Sequence, residues 1–525
     1  MYLTQGLHRS LQCHPAKLAL RPLEGDGAPG LDFAGLLRLV AQLAAALQYC
    51  GVAAGDRVAL LSPNTPALVQ QLLACWWLGA VACPLNPDWR SADLRQAVAD
   101  CGASLLVVDP ALALLASQAG LATALNAGGS EIDSLRLASL AATRMPLGDS
   151  RTGGDALAAL VYTAGTAGPR RAVMLTHANL WAAALAGQAA PDPQVDTVAL
   201  LVVPLCQAAG LAHLAVQLVA GATCLTLAAC LPETTLQAIE AGGVNEILLP
   251  PGLLQALLRH PAFDPGRLQG LRRISTGAAA LAPALLAGAQ AAWPAAELVQ
   301  AYGLTESAAS ACVQRLGPRR PWAAGDAAWQ GRRGTAGRAG LATELRIVDP
   351  QGADLPQGRV GEIVLRGPSV MPGYWQQPEA TARALQDGWL RTGDAGRLDP
   401  DGYLFVVDRF EDVIISGGET VYSAEVEGVL RQLAAVEDVA VVGLPHAVWG
   451  AAVHAVVVPR PGAWAQAEAL RRYCRNHLAG YKCPRSLSFT DSLPLASAGQ
   501  VNKRLLRETL PAQLAKSQQK IPRST

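Results

Sequence analysis

At 525 residues the chain exceeds what one simple hydrophobic core accommodates, so a large multi-lobed body with at least one further domain is expected. Its 42 Lys and Arg against 41 Asp and Glu leave a formal charge of +1, without the basic excess that binds nucleic acid, so small molecules are the expected partners. Hydrophobic residues make up 51% but aromatics only 5%, so packing rests on many small contacts, which suits an α/β enzyme.

The first twenty residues, MYLTQGLHRSLQCHPAKLAL, contain no continuous apolar run after their basic residues and do not read as a signal peptide. The eleven cysteines form no CxxC pair, and Cys474 and Cys483 lack histidines at zinc-ligand spacing, so all read as reduced thiols of a cytoplasmic protein. Two uncharged stretches, Val58 to Pro87 and Thr197 to Pro232, are long enough to span a bilayer. Prolines, glycines and glutamines interrupt both, and they read as buried strand-helix-strand segments rather than transmembrane spans.

From about Leu31 to Thr305, short β-type runs (VALLS, SLLVVD, ALLVVP, EILLP, RRIST) alternate with helical Ala/Leu stretches, the rhythm of βαβ units in parallel sheets. After Gly331 polar turns separate short strands, as in ELRIVDPQGADLPQGRVGEIVLRG, which predicts a small antiparallel or barrel-like lobe. A boundary falls near residues 408–412, giving an N-terminal domain over 1–408 and a small α/β C-terminal lid over 409–525. The polar stretch Leu514 to Thr525 is expected to fray.

The sharpest local signal is YTAGTAGPRRAVMLTHAN, Tyr162 to Asn179, where small and hydroxyl residues follow an apolar strand and precede a helix. Such a loop brings backbone N–H groups against phosphates: Gly165 and Gly168 permit close approach, Thr163 and Thr166 donate, and Arg170 and Arg171 neutralise charge. A tight structural turn would use the same glycines.

This segment resembles the phosphate loop, YTSGTTGxPKG, of the adenylate-forming superfamily that includes acyl-CoA synthetases, luciferases and peptide-synthetase adenylation domains. AYGLTES (Ala301 to Ser307), GEIVLRGPSVMPGYW (Gly361 to Trp375), GWLRTGD (Gly388 to Asp394) and DRFEDVIISGGETVYSAEVE (Asp408 to Glu427) resemble further motifs of that family in the same order, over nearly the whole chain. The resemblance implies two parallel-sheet α/β subdomains, a small β lobe and a mobile C-terminal domain. It also implies an AMP-forming ligase that uses ATP, Mg²⁺ and CoA to convert a carboxylic acid to a thioester, and it leaves a homodimer open.

On this resemblance the loop residues Thr163, Ala164, Gly165, Thr166, Ala167, Gly168 and Arg171 would hold the phosphates, with Thr305 as a further phosphate contact and Glu306 as the Mg²⁺ ligand. Gly277, Ala278 and Ala279 would pack on the adenine face opposite Tyr302 and Gly303. Asp394 would take the ribose hydroxyls, and Arg409 the ribose or α-phosphate, with a structural Arg–Asp ion pair as the alternative for both. Glu411 stands at the hinge position. Gln207 and Gly210, in PLCQAAGL, Gly417 and Gly418, and Tyr481 and Lys482, in GYKCP, would border the acyl and CoA channel, although a surface lysine on a turn is an equal reading of Lys482.

Two departures stand out. The family's adenylation lysine follows the glycine of PxxxxGK, whereas this chain has Gln500 after Gly499, and losing one preorganised transition-state donor costs about 10²–10³ in rate. Lys503, roughly 10 Å further along an extended segment, could substitute only if the loop rearranged. The phosphate loop carries Ala164, Ala167, Arg170, Arg171 and Ala172 in place of family residues, and Cys206 and Gln207 replace an aromatic and a histidine. The altered loop favours natural divergence over a single engineered change. Slow adenylation is expected, with a nucleotide-binding homologue or a ligase of amines or carrier proteins as the alternatives.

Overall fold

The computed structural model describes all residues except 24–29, 126–127, 164–169, 189–195, 278–280, 318–330, 333, 464–465, 496–500 and 520–525, and gives only the backbone of 515–519. Four sheets organise the described residues. In the first, the strands Ser130–Asp133, Leu105–Val108, Arg57–Leu61, Val81–Leu85 and Leu157–Tyr162 run parallel, and Ala172–Thr176 closes the edge antiparallel. The second has a parallel centre, Glu297–Tyr302, Arg273–Thr276, Glu246–Leu248, Val198–Leu201, Thr223–Thr226 and Leu18–Pro22, with antiparallel margins.

Both uncharged stretches are strand-helix-strand units. Pro66–Leu78 connects Arg57–Leu61 to Val81–Leu85, and Ala208–Ala220 connects Val198–Leu201 to Thr223–Thr226. Thr65 caps the former helix by accepting from Leu68 N–H, Pro66 opens it, and Gly79, left-handed at φ 83°, ends it. No helix among the described residues is long and apolar enough to cross a membrane.

The small lobe is an antiparallel sheet of Glu344–Val348, Gly361–Arg366, Trp389–Leu398, Leu385–Gln386 and Leu404–Arg409. The chain turns once through Phe410–Asp412 before the separate C-terminal sheet begins at Ile414–Ser416. There the long hairpin Val436–His446 and Gly450–Pro459 pairs with short strands and is packed by the helices Ser423–Leu430, Ala467–His477 and Lys503–Gln519.

The backbone of that last helix runs to Gln519, which corrects the expected fraying over 514–519, while 520–525 lie outside the described residues. Leu506 and Leu510 are buried, Leu514 partly so, against Val442 and Val456, an apolar stripe at i, i+4, i+8 that continues past Pro511.

Candidate active site

The carboxyl ends of the parallel strands open onto one cleft of about 1850 Å³ between the large body and the C-terminal domain. In twisted α/β sheets this is where ligands gather. The hairpin of Leu157–Tyr162 and Ala172–Thr176 brings Thr163 and Arg171 to this cleft. Its ends are tied by Thr163 N–H to Arg171 O (3.0 Å) and by Arg171 N–H to Thr163 Oγ1 (3.3 Å). Ala164 to Gly168 lie outside the described residues, as do Ala278, Ala279 and Gln500.

The two arginines of the loop part company. Arg170 lies 3.4 Å from Asp93 and over the Trp89 ring at 4.1 Å. Arg171 instead stands over Tyr374, 5.3 Å from the ring centre.

Tyr374 is a site residue that sequence reading passed over, although GEIVLRGPSVMPGYW contains it. Main-chain bonds from Met174 N–H to Gly373 O and from Trp375 N–H to Ala172 O stitch this segment onto the phosphate hairpin. The Tyr374 hydroxyl thereby reaches Glu306 and donates to Oε1 at 2.8 Å. Glu306 sits with Thr305 on the turn Thr305–Ser307, whose entry is held by Leu304 N–H donating to Ser307 Oγ (3.0 Å). Ala308 and Ala309 follow in left-handed conformation, φ 49° and 56°, a strain that alanines adopt only where surrounding structure enforces it.

Tyr302 ends its strand beside Gly277, which follows the neighbouring strand Arg273–Thr276. The Tyr302 hydroxyl donates to Asp394 Oδ2 at 2.7 Å. Asp394 is also the direct cross-strand partner of Arg409, and Arg409 Nε lies 3.2 Å from its Oδ1. Burial pushes the Asp394 carboxyl up, opposed by the Arg409 charge and the Tyr302 hydrogen bond. The ion pair weighed as the alternative for these residues is therefore present, and it faces the cleft, where a polyhydroxyl ligand meets an acceptor and a cation side by side. Arg409 also reaches Glu411 at 3.3 Å.

Gln207 precedes the Ala208–Ala220 helix and lines the cleft beside Cys206, whose thiol burial pushes up to about 12 and so keeps protonated. Gly210 serves packing: a Cβ there would stand 2.3 Å from Pro204 O. Gly417, Gly418, Tyr481 and Lys482 lie outside the cleft lining. The two glycines are the central residues of the hairpin between Ser416 and Glu419, at φ 62° and 83°, as a type I′ turn requires. Lys482 Nζ sits 2.7 Å from both Glu425 oxygens.

Lys503 is held in a buried pair. Its Nζ lies 2.7 Å from Glu427 Oε1 and 2.6 Å from Ser423 Oγ, and Ser423 in turn donates to Asp408 Oδ2 at 2.7 Å.

Residues 7–375 match the AMP-binding enzyme family and residues 425–500 the AMP-binding enzyme C-terminal domain. The chain is 39% identical over 479 residues to a feruloyl-CoA synthase of Amycolatopsis sp, covering 91% of this chain and 93% of that one. It is 35% identical over 533 residues to an indoleacetate–CoA ligase of Aromatoleum aromaticum, covering 97% and 98%. Its fold matches ATP-bound MatB from Rhodopseudomonas palustris with a TM-score of 0.86 at 28% identity, over 97% and 99% of the two chains. The chain belongs to the AMP-binding enzyme family and, with it, to the adenylate-forming superfamily of ligases.

Proposed function

We propose that the protein is an AMP-forming acid–thiol ligase: a carboxylate attacks the α-phosphate of ATP to give an acyl-adenylate and pyrophosphate, and the CoA thiolate then displaces AMP. The observation that carries this reading is the convergence of two clusters, Tyr302–Asp394–Arg409 and Arg171–Tyr374–Glu306, in one cleft at the strand ends. The first supplies a flat ring, a ribose acceptor and a cation. The second supplies a phosphate cation beside a carboxylate, with the Thr163 and Thr305 hydroxyls on adjoining turns.

Among the described residues no cation forms an ion pair with Glu306, and Tyr374 donates to only one of its oxygens, so its carboxylate suits a hard divalent cation. Glu306 would hold the Mg²⁺ that accompanies the triphosphate and spreads its charge. CoA as acceptor is supported by the names of the relatives and by the GYKCP resemblance, with Lys482 exchanging Glu425 for a CoA phosphate.

In this reading Gln500 keeps a hydrogen-bond donor at the adenylation position without charge, and Lys503 is committed elsewhere, so the first step is slow. Gln500→Lys should raise pyrophosphate release by about one to three orders of magnitude while thioester formation from supplied acyl-AMP barely changes. No increase, in a protein shown to bind ATP, would shift the weight to a nucleotide-binding homologue, which the same Gln500 favours. Replacing CoA by amines or phosphopantetheinyl carriers in the second step tests the acceptor.

A further inference from the structure

Away from the nucleotide clusters, the cleft continues between the Ala208–Ala220 helix and one face of the second sheet. On the helix its lining is Ala208 followed by Ala209, Ala212, His213 and Val216, the last four spaced i, i+3, i+4, i+7 and so a single stripe in which only His213 is polar. The strands facing it contribute alternate residues in rows. Gly277 and Ala301 are nearest the site, then come Leu248, Ser275 and Val299, in register, and last Glu246 and Arg273, again in register, with Glu297 paired to Arg273 outside the lining. The wall is thus small, then apolar apart from Ser275, then charged. Gly277 lies four residues beyond Arg273, roughly 13 Å of strand at the usual rise.

The charged row is internally paired. Arg273 Nε lies 3.0 Å from Glu297 Oε2 and its Nη1 lies 3.6 Å from Glu246 Oε2. Arg315 reaches Glu297 at 3.3 Å, and Gln217 Nε2 donates to Glu246 Oε1 at 3.0 Å. Two carboxylates thus meet two guanidinium groups, leaving no excess charge for a second carboxylate on the ligand. An alkyl terminus arriving here would desolvate these ions without replacing their contacts.

His213 differs from that row. It is 7% exposed, and its Nε2 is buried without a hydrogen-bond partner among the described residues. A buried ring nitrogen left unpaired is unfavourable, so such a group calls for a partner. Burial holds the imidazole below its ordinary range, against the opposing pull of Glu246, which leaves a neutral ring with one donor and one acceptor nitrogen. Six residues separate it from Gln207, about 9 Å along the helix.

Building on the ligase reading, we propose that the acid is a short aryl or arylalkenyl carboxylic acid with a neutral hydrogen-bonding group, a hydroxyl or ring N–H, at the end far from its carboxylate, and that His213 is the residue that selects it. A rigid ring spans the apolar row and delivers its polar end to His213 with few rotors to freeze. A site built to hydrogen-bond such a group discriminates against the analogue that lacks it.

The test compares 4-hydroxycinnamate, cinnamate and decanoate as acids for the full-length protein, scored by pyrophosphate release and by mass spectrometry of the acyl-AMP. The expected result is a kcat/KM ratio of hydroxylated to unsubstituted acid of about ten or more, with decanoate poorer still. In His213→Leu the ratio should fall to within about twofold, and His213→Gln, which retains a hydrogen-bonding group, should restore part of it. A wild-type preference for cinnamate or decanoate, or an unchanged ratio in His213→Leu, would overturn the proposal. If His213→Leu fails to fold, the wild-type panel and His213→Gln decide. If no acid releases pyrophosphate, the ligase reading fails by itself, and calorimetric affinities of the same acids in the presence of AMP test His213 with the same ratio.

Discussion

Replacing Lys503 by methionine separates two roles that one lysine near the adenylation position could play. Its ammonium is 13% and the Glu427 carboxylate 7% exposed, 2.7 Å apart. Glu427 Oε1 also accepts from Val441 N–H at 2.8 Å, which ties the pair to the long C-terminal hairpin. Removing one partner of a buried pair costs about 3–5 kcal/mol, because the other charge stays behind. Arg431 Nη1, 3.5 Å from Glu427 Oε2, remains as partial compensation, so the lower end, about 3 kcal/mol, is expected. At 1.4 kcal/mol per tenfold, the amides of Val436–His446, Val441 foremost, should exchange with deuterium about a hundredfold faster in Lys503→Met. The double variant Lys503→Met/Glu427→Met removes both charges and should recover protection, since apolar replacement of a whole buried pair is often neutral or stabilising. Pyrophosphate release should recover with it. Release that stays depressed in a double variant with restored protection would refute the structural role and make Lys503 the adenylation cation.

Three further outcomes follow from the same coordinates. Asp394→Asn leaves Arg409 and Tyr302 facing a neutral amide and should weaken ATP and AMP binding by about 1.5–3 kcal/mol, measured by calorimetry; unchanged affinity would remove Asp394 from the ribose site. Glu411→Pro, in the turn Phe410–Asp412 between the two domains, should suppress thioester formation more than adenylation, and equal loss in both half-reactions would argue against a rotating lid. His454 is wholly buried between Ser486 and Ser488, and burial pulls its imidazole from the ordinary 6.5 down to about 4. The unfolded chain therefore binds the extra proton first. This contribution to stability is intact above pH 6.5 and lost as pH falls toward 4, at no more than about 1.4 kcal/mol per unit. His454→Leu should flatten the dependence of thermal unfolding over that window, and an unaltered slope would contradict the assignment.

How much of this was legible in the residues depends on how local the signal is. The strands of the large sheets announce themselves as apolar runs bounded by Gly, Pro and polar turns, and the phosphate hairpin by its clustered small residues, because each pattern is written within some ten positions. Gly417 and Gly418 carried a local signal too: two glycines between IIS and ETV are the residues a two-residue hairpin needs, and turn geometry accounts for them before any ligand does. The helix through Leu514 was missed because Pro511 and the polar residues around it mask a stripe that is apolar only every fourth residue. Tyr374 and Glu306, sixty-eight positions apart, and Lys503 and Glu427, seventy-six apart, meet only because separate segments are laid against each other; neither spacing has a periodicity to read.

Several cations that could serve a nucleotide or CoA are already paired. Arg170 is spent on Asp93 and Trp89, Lys482 on Glu425, and Lys503 on Glu427, each within hydrogen-bonding or stacking distance of a partner from the same domain. Arg171 and Arg409 line the cleft, Arg171 over Tyr374, whose hydroxyl meets Glu306, and Arg409 beside Asp394. On the proposed reading, a nucleotide entering this site would meet acceptors for its hydroxyls and metal at Asp394 and Glu306, and cations at Arg171 and Arg409. The attack of a carboxylate on the α-phosphate is different, because negative charge then accumulates between two anionic groups and a fixed positive charge is worth most at that moment. On the proposed reading, ground-state affinity for the nucleotide would be retained while rate is lost, so Gln500→Lys should move the rate of pyrophosphate release far more than the affinity for ATP.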